Sequence, residues 1–146
     1  MMIVTEIFGA EQGTECLLPL FVDPVQAGFP SPADDYVDCT IDLNEHLIRN
    51  PPATFLVRVR GESMVDAGIN SGDLLIVDKS LDATDGDVVI ATVDGQFTVK
   101  RFRRNGTKFR LVAENPTHPQ IVFGNESSVE IWGVVIHVIH SPRRSR

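Results

Sequence analysis

A mainly β, compact core with one short helix and an extended N-terminal arm is the fold that this 146-residue sequence predicts. Three observations predict it. From residue 54 onward, runs rich in Val, Ile, Phe and Thr recur with turn residues between them. Two dipeptides, Asp94-Gly95 and Asn105-Gly106, are tight-hairpin signals, because the favoured two-residue turns need positive φ at their centre. Residues 1–40 contain no Lys or Arg and carry the proline-rich run GFPSPADDY, which sets them apart from the remainder of the chain.

Taken in order, residues 1–40 read as an extended arm. Pro24, Pro30 and Pro32 disfavour helix and ladder and bias the chain toward extended backbone. Residues 41–146 read as a single domain. It opens with TIDLNEHLIRN, where Asp42 and Glu45 have the spacing of a capping box and Leu43, Leu47 and Ile48 make one apolar stripe. Pro51-Pro52 ends that short helix. Then come TFLVRVR, DLLIVD, DVVIATVD, QFTVKRFR, KFRLVA and EIWGVVIHVI, six or seven strands with turns at Gly72, Gly86, Gly95 and Gly106. The two hairpin signals make residues 87–113 a three-stranded antiparallel meander. No internal repeat is present.

Composition narrows the function. A chain of this size, 42% hydrophobic, buries roughly 68–70% of its unfolded surface, so it needs neither disulfide nor metal to fold. A net charge of −7 argues against independent DNA binding, which needs Lys and Arg on phosphates, and the basic PRRSR at the C-terminal end is too short to serve alone. Cys16 and Cys39 form no CxxC pair and read as free thiols of a reducing cytosol. No secretory leader and no membrane-length apolar run is visible, so a soluble, cytoplasmic protein is expected.

The candidate chemistry centres on Ser63, set in a sharp turn straight after TFLVRVR and one step past Gly61-Glu62. A serine nucleophile needs a base. None of His46, His118, His137 and His140 has a neighbouring carboxylate to orient it, and the three-residue spacing of the last two argues against a shared metal. No metal site and no cofactor is expected. Among three lysines, Lys79 and Lys108 lie in turns, whereas Lys100 is mid-strand. Alternation puts Thr98, Lys100 and Phe102 on one face, and Phe97, Val99 and Arg101 on the other. Patterning alone favours an exposed lysine guarding an edge strand. In an apolar setting the same lysine would lose charge and become a base, and Ser–Lys pairs are a known variant of the catalytic triad. Ala27-Gly28, two small residues ahead of the proline run, reads either as linker or as an unhindered scissile bond.

From Pro19 to His140 the segments PLFVDPVQAGFPSPADDYV, IDLNEHLI, GESMVDAGINSGDLLIVD, GDVVIATVDGQFTVKRF and GVVIHVIH occur in the order of a known family. The chain resembles the UmuD-like proteins of the LexA/UmuD group of Ser–Lys autoproteases. The resemblance implies a LexA/UmuD-like β-dominated protease core, with Ser63 as nucleophile, Lys100 as general base and Ala27-Gly28 as the bond cut within the same protein. UmuD proteins often have Cys-Gly there; Ala-Gly is the pair typical of LexA. By the same resemblance, backbone N–H groups at Glu62 and Ser63 form the oxyanion site and Thr98 orients the lysine. It further implies cleavage stimulated by a RecA–single-stranded DNA filament. The truncated homodimer would then serve an error-prone translesion polymerase, with an UmuC-like Y-family catalytic subunit and the polymerase sliding clamp as partners. The acids of residues 1–27 would take four of the seven net negative charges with them.

Other readings are a LexA-like or phage-type self-cleaving repressor, a signal peptidase and a non-catalytic scaffold. The 27 residues before the proposed cut are too few for a helix-turn-helix, no membrane anchor is visible, and both Ser63 and Lys100 are present with a cleavable arm.

Overall fold

A computed structural model describes residues 1–10, 17–21, 37–117, 121–124 and 128–143. Ala27-Gly28, Cys16, His118, Pro24, Pro30, Pro32 and the last three residues lie outside the described residues.

The described residues form ten strands and one short α-helix. The strands are β1 (Ile3–Gly9), β2 (Leu17–Phe21), β3 (Val37–Asp42), β4 (Thr54–Arg60), β5 (Leu74–Asp78), β6 (Val88–Val93), β7 (Gln96–Asn105), β8 (Lys108–Val112), β9 (Ile121–Phe123) and β10 (Val129–Ile139). The helix α1 (Leu43–Leu47) starts where the sequence places it: Asp42 is its N-cap, and its carboxylate accepts from Asn44 N–H at 3.0 Å. Pro51 then opens a single 3₁₀ turn, Pro51–Ala53, that leads directly into β4.

Eight strands make one sheet in the order β1-β4-β5-β10-β6-β7-β8-β9. β1 also meets β7, at Ile3 opposite Thr98, so six strands close on themselves as a ring. β2 and β3 form a separate two-stranded sheet, with Pro19 of β2 opposite Thr40. The expected meander is present: β6 pairs with the first half of β7, and β8 with its second half. At the Asp94-Gly95 turn both residues have positive φ, +50° and +82°, which is what that hairpin requires.

The mainly β expectation holds, and the runs read from the sequence become β4 to β8 and β10. Four strands fall outside that reading. β9 is only three residues long, too short to show a period. β1, β2 and β3 lie in or reach into the proline-rich, acidic first 42 residues, where the turn and charge signals mask them.

Two apolar clusters hold the sheet. Val57, Val59, Leu75, Val77, Ile90 and Val99 belong to the larger one, and Val89, Ala91, Phe102, Leu111 and Val134 form the second. β6 alternates between them, since Ile90 enters the first and its neighbours Val89 and Ala91 the second. β10 reaches both partners, β6 and β5, by bending at two irregularities, between Ile131 and Gly133 and between Val135 and His137. Gly133 is needed at the first, because a Cβ there would lie 2.6 Å from Val77 Cγ1.

Leu75 is fully buried in the larger cluster, whereas Leu81 is 47% exposed. Leu75→Ala should therefore lower the unfolding free energy by about 3 kcal/mol, and Leu81→Ala by under about 1 kcal/mol. Urea denaturation of both variants checks the contrast.

Candidate active site

Ser63 follows β4 by three residues, and the path between them is fixed by Gly61. Its φ of +120° is open to glycine and strained for other residues. Gly61 N–H donates to Ser71 Oγ at 3.1 Å, which ties the start of the turn to the NSGD turn behind it. Asp73 braces that second turn, accepting from Asn70 N–H at 2.8 Å. Beyond Ser63 the chain makes one 3₁₀ turn, Val65–Ala67, and Met64 anchors it as a fully buried side chain. Ser63 itself is 2% exposed.

A third segment clamps the turn from outside. Asn115 Nδ2 donates to the Glu62 carbonyl at 2.9 Å, and Asp66 N–H donates to the Glu114 carbonyl at 2.8 Å. Asn115 is held in turn, since its Oδ1 accepts from the Thr117 N–H and hydroxyl at 3.0 and 2.7 Å. The Glu114 carboxylate accepts from Arg101 Nε at 2.9 Å. Arg101 is the residue after Lys100. Residues 114–117 thus couple the serine turn to the lysine strand.

Lys100 lies where one edge of β7 changes neighbour, from β1 at Thr98 to β8 at Arg101. The edge-guarding lysine that patterning favours is not what the structure has. β7 is an interior strand, and Lys100 is 1% exposed. Its Nζ donates to Thr98 Oγ1 at 3.2 Å, so Thr98 and Lys100 do meet on one face. Burial disfavours the ammonium and pushes Lys100 down to about 8 from an ordinary 10.5.

Backbone from β1's leading end connects the two side chains. Met2 N–H donates to Ser63 Oγ at 2.7 Å, and Thr98 Oγ1 donates to the Met2 carbonyl at 2.8 Å. A continuous hydrogen-bonded path therefore runs from the Ser63 hydroxyl through the Met2 backbone and the Thr98 hydroxyl to the Lys100 amine. Chemically, this is a buried hydroxyl linked, through backbone and a threonine, to an amine that burial makes partly neutral at physiological pH.

The peptidase S24-like family model matches residues 19–136. The chain belongs to this peptidase S24-like family. Across 129 residues, 88% of this chain and 87% of the relative, it is 47% identical to the protein ImpA of Salmonella typhimurium. It is 43% identical over 133 residues to the protein SamA of Salmonella typhimurium strain LT2, covering 91% of this chain and 92% of that one. It is 37% identical over 147 residues to the LexA repressor of Proteus mirabilis, covering 95% of this chain and 71% of the repressor. These relatives agree with the UmuD-like, LexA/UmuD resemblance carried by the motifs.

Within this S24-like chain, local sequence reasoning missed four things. Asn115 and Glu114 act on a turn some 50 residues away in sequence, and Met2 belongs to no motif. Spacing along the chain gives no histidine an orienting carboxylate, yet His140 Nδ1 lies 2.6 Å from Asp73 Oδ1, across 67 residues. His46 and His137 approach each other at 6.0 Å between ring centroids. Only spatial proximity, which the linear sequence does not encode, reveals these pairs.

The sign of the Lys100 shift sets a stability prediction. Its folded value is lowered, so between about 8 and 10.5 the unfolded chain binds more protons and this group's contribution to stability rises with pH. Below about 8 the buried charge is destabilising. Lys100→Met should therefore be more stable than the parent at pH 7, by up to about 3 kcal/mol, and the gap should shrink toward pH 10. Chemical denaturation of both proteins at the two pH values measures it.

Proposed function

We propose that the chain is a self-cleaving serine peptidase that uses Ser63 and Lys100 to cut its own Ala27-Gly28 bond. The carrying observation is Lys100: fully buried, lowered to about 8 and held by Thr98 on the strand that lies, with the buried Ser63 turn, against the same Met2 backbone. Neutral Lys100 takes the Ser63 hydroxyl proton as Oγ bonds to the Ala27 carbonyl carbon. Backbone N–H groups at Glu62 and Ser63 hold the resulting oxyanion. The C–N bond then breaks, and the Gly28 amine leaves with the proton carried by Lys100. Water, deprotonated by the same amine, hydrolyses the Ala27 ester and restores Ser63. Thr98 aligns the amine without itself reacting.

The family and the relatives support placing this reaction in SOS mutagenesis. In that role a RecA–single-stranded DNA filament stimulates the cut in the cytoplasm. The homodimer beginning at Gly28 then becomes the accessory subunit of a translesion polymerase with an UmuC-like Y-family catalytic subunit, and contacts the sliding clamp. Removal of residues 1–27 lowers the negative charge presented to those partners.

Incubation with RecA, single-stranded DNA and a nucleotide should yield a product beginning GFPSP, read by intact mass and N-terminal sequencing. Ser63→Ala should give none. Lys100→Arg should also give none, because a guanidinium keeps its proton near neutrality. A different new N-terminus, or an active Lys100→Arg protein, would overturn the assignment.

Without RecA, the log of the cleavage rate should climb with pH at a slope near one and level off near pH 8, where Lys100 has lost its proton. At pH 7 only about one amine in ten is neutral. A profile already flat at pH 7 would remove Lys100 as the titrating base.

A further inference from the structure

We propose that residues 1–9 are a built-in occluding strand, which fills the slot beside Ser63 where an extended peptide would dock and must leave before cleavage. The proposal rests on the reading of Ser63 as nucleophile.

The slot is one strand wide. One wall is β4 with the Ser63 turn at its end, and the other is β7, bearing Thr98 and Lys100. β1 runs between them, and a single residue, Ile3, stands opposite both Arg60 of β4 and Thr98 of β7. Without β1 the ring of six strands is open at this point, and both walls present unpaired backbone, the groups that bind an added strand.

Met2 is the anchor. Its side chain is fully buried with Val57, Val59, Met64, Ile69 and Val99. Its N–H goes to Ser63 Oγ at 2.7 Å, and its carbonyl takes the Thr98 hydroxyl at 2.8 Å and Val99 N–H at 3.4 Å. Gly61 lets the backbones close together, since a Cβ there would lie 2.7 Å from Met1 O and 2.9 Å from Met2 Cα. The bound segment therefore occupies the hydroxyl of Ser63 and the hydroxyl that meets Lys100.

This contact is unproductive. An N–H that donates to Oγ holds that oxygen near the plane of the Met1–Met2 peptide group. Attack on a carbonyl carbon instead approaches from above its plane. No bond breaks, and the segment remains as an occupant. It is also built to leave. Five of the seven β1 residues are exposed, and the ladder to β4 slips between Val4 and Glu6. Its hold on the site itself is at Met2, so release needs withdrawal of that side chain together with loss of the ladder to β4.

The test uses the full chain with Ser63→Cys and follows iodoacetamide labelling of residue 63 by peptide mass mapping at fixed pH. Met2→Glu in that background places a charge in the apolar pocket and should speed labelling at least about tenfold. Ile7→Pro, which breaks the β1 ladder opposite Val57 at an exposed position, should speed it in the same direction. Met2→Leu, which keeps the pocket filled, should leave the rate unchanged. With Ser63 intact, Met2→Glu should also accelerate self-cleavage without RecA. Labelling that is equal or slower in both Met2→Glu and Ile7→Pro would overturn the occluding strand, as would slower cleavage. Persistence of the cut in Ser63→Ala would instead sink the nucleophile assignment, and the labelling result would stand by itself.

Discussion

An amine with 1% exposure in the wall of a β ring is the constraint on which the site depends. An ammonium at that position is poorly solvated, so burial drives it toward the neutral form. The same placement that costs stability below about pH 8 leaves part of the amine neutral near pH 7. Surface lysine could not do this, and arginine could not do it anywhere in the fold. The rest of the structure keeps that amine covered and meets it with a hydroxyl. β6 covers one edge of β7, β1 and β8 share the other, and Thr98 accepts from Nζ.

Keeping Ser63 in place needs more than the turn that carries it. Gly61 sets the backbone direction, Met64 pins the turn into the core, and Asn115 holds the Glu62 carbonyl. Arg101 then ties residue 114 back to β7. Serine and lysine are therefore positioned against a shared brace. A shift of β7 would be felt at the serine turn through Arg101, Glu114 and Asp66, because each link is a direct hydrogen bond or ion pair.

How much of this is legible in the sequence depends on range. The hairpin at Asp94-Gly95 and the cap at Asp42 are local chemistry, and both are present in the fold. Strand alternation finds β4 to β8 and β10. It fails to settle Lys100, because alternation distinguishes faces only when one of them is wet. On β7, Val99 and Lys100 are adjacent and both are buried. The family resemblance carried by the motifs implies the Ser63 and Lys100 pairing that the pattern leaves open. Nothing local points to Met2, Asn115 or the Asp73–His140 contact, since each acts across more than fifty residues.

Everything proposed for this site requires that the fold lower the Lys100 proton affinity enough for the amine to be partly neutral near pH 7. With only three lysines in the chain, Lys79, Lys100 and Lys108, side-chain NMR of ε-¹³C-labelled lysine resolves the question directly, with Lys100→Met assigning the signal. Burial should place the Lys100 midpoint near 8 in the folded protein. A Lys100 midpoint at the ordinary value of 10.5 would mean that burial leaves the amine charged and unable to serve as a base.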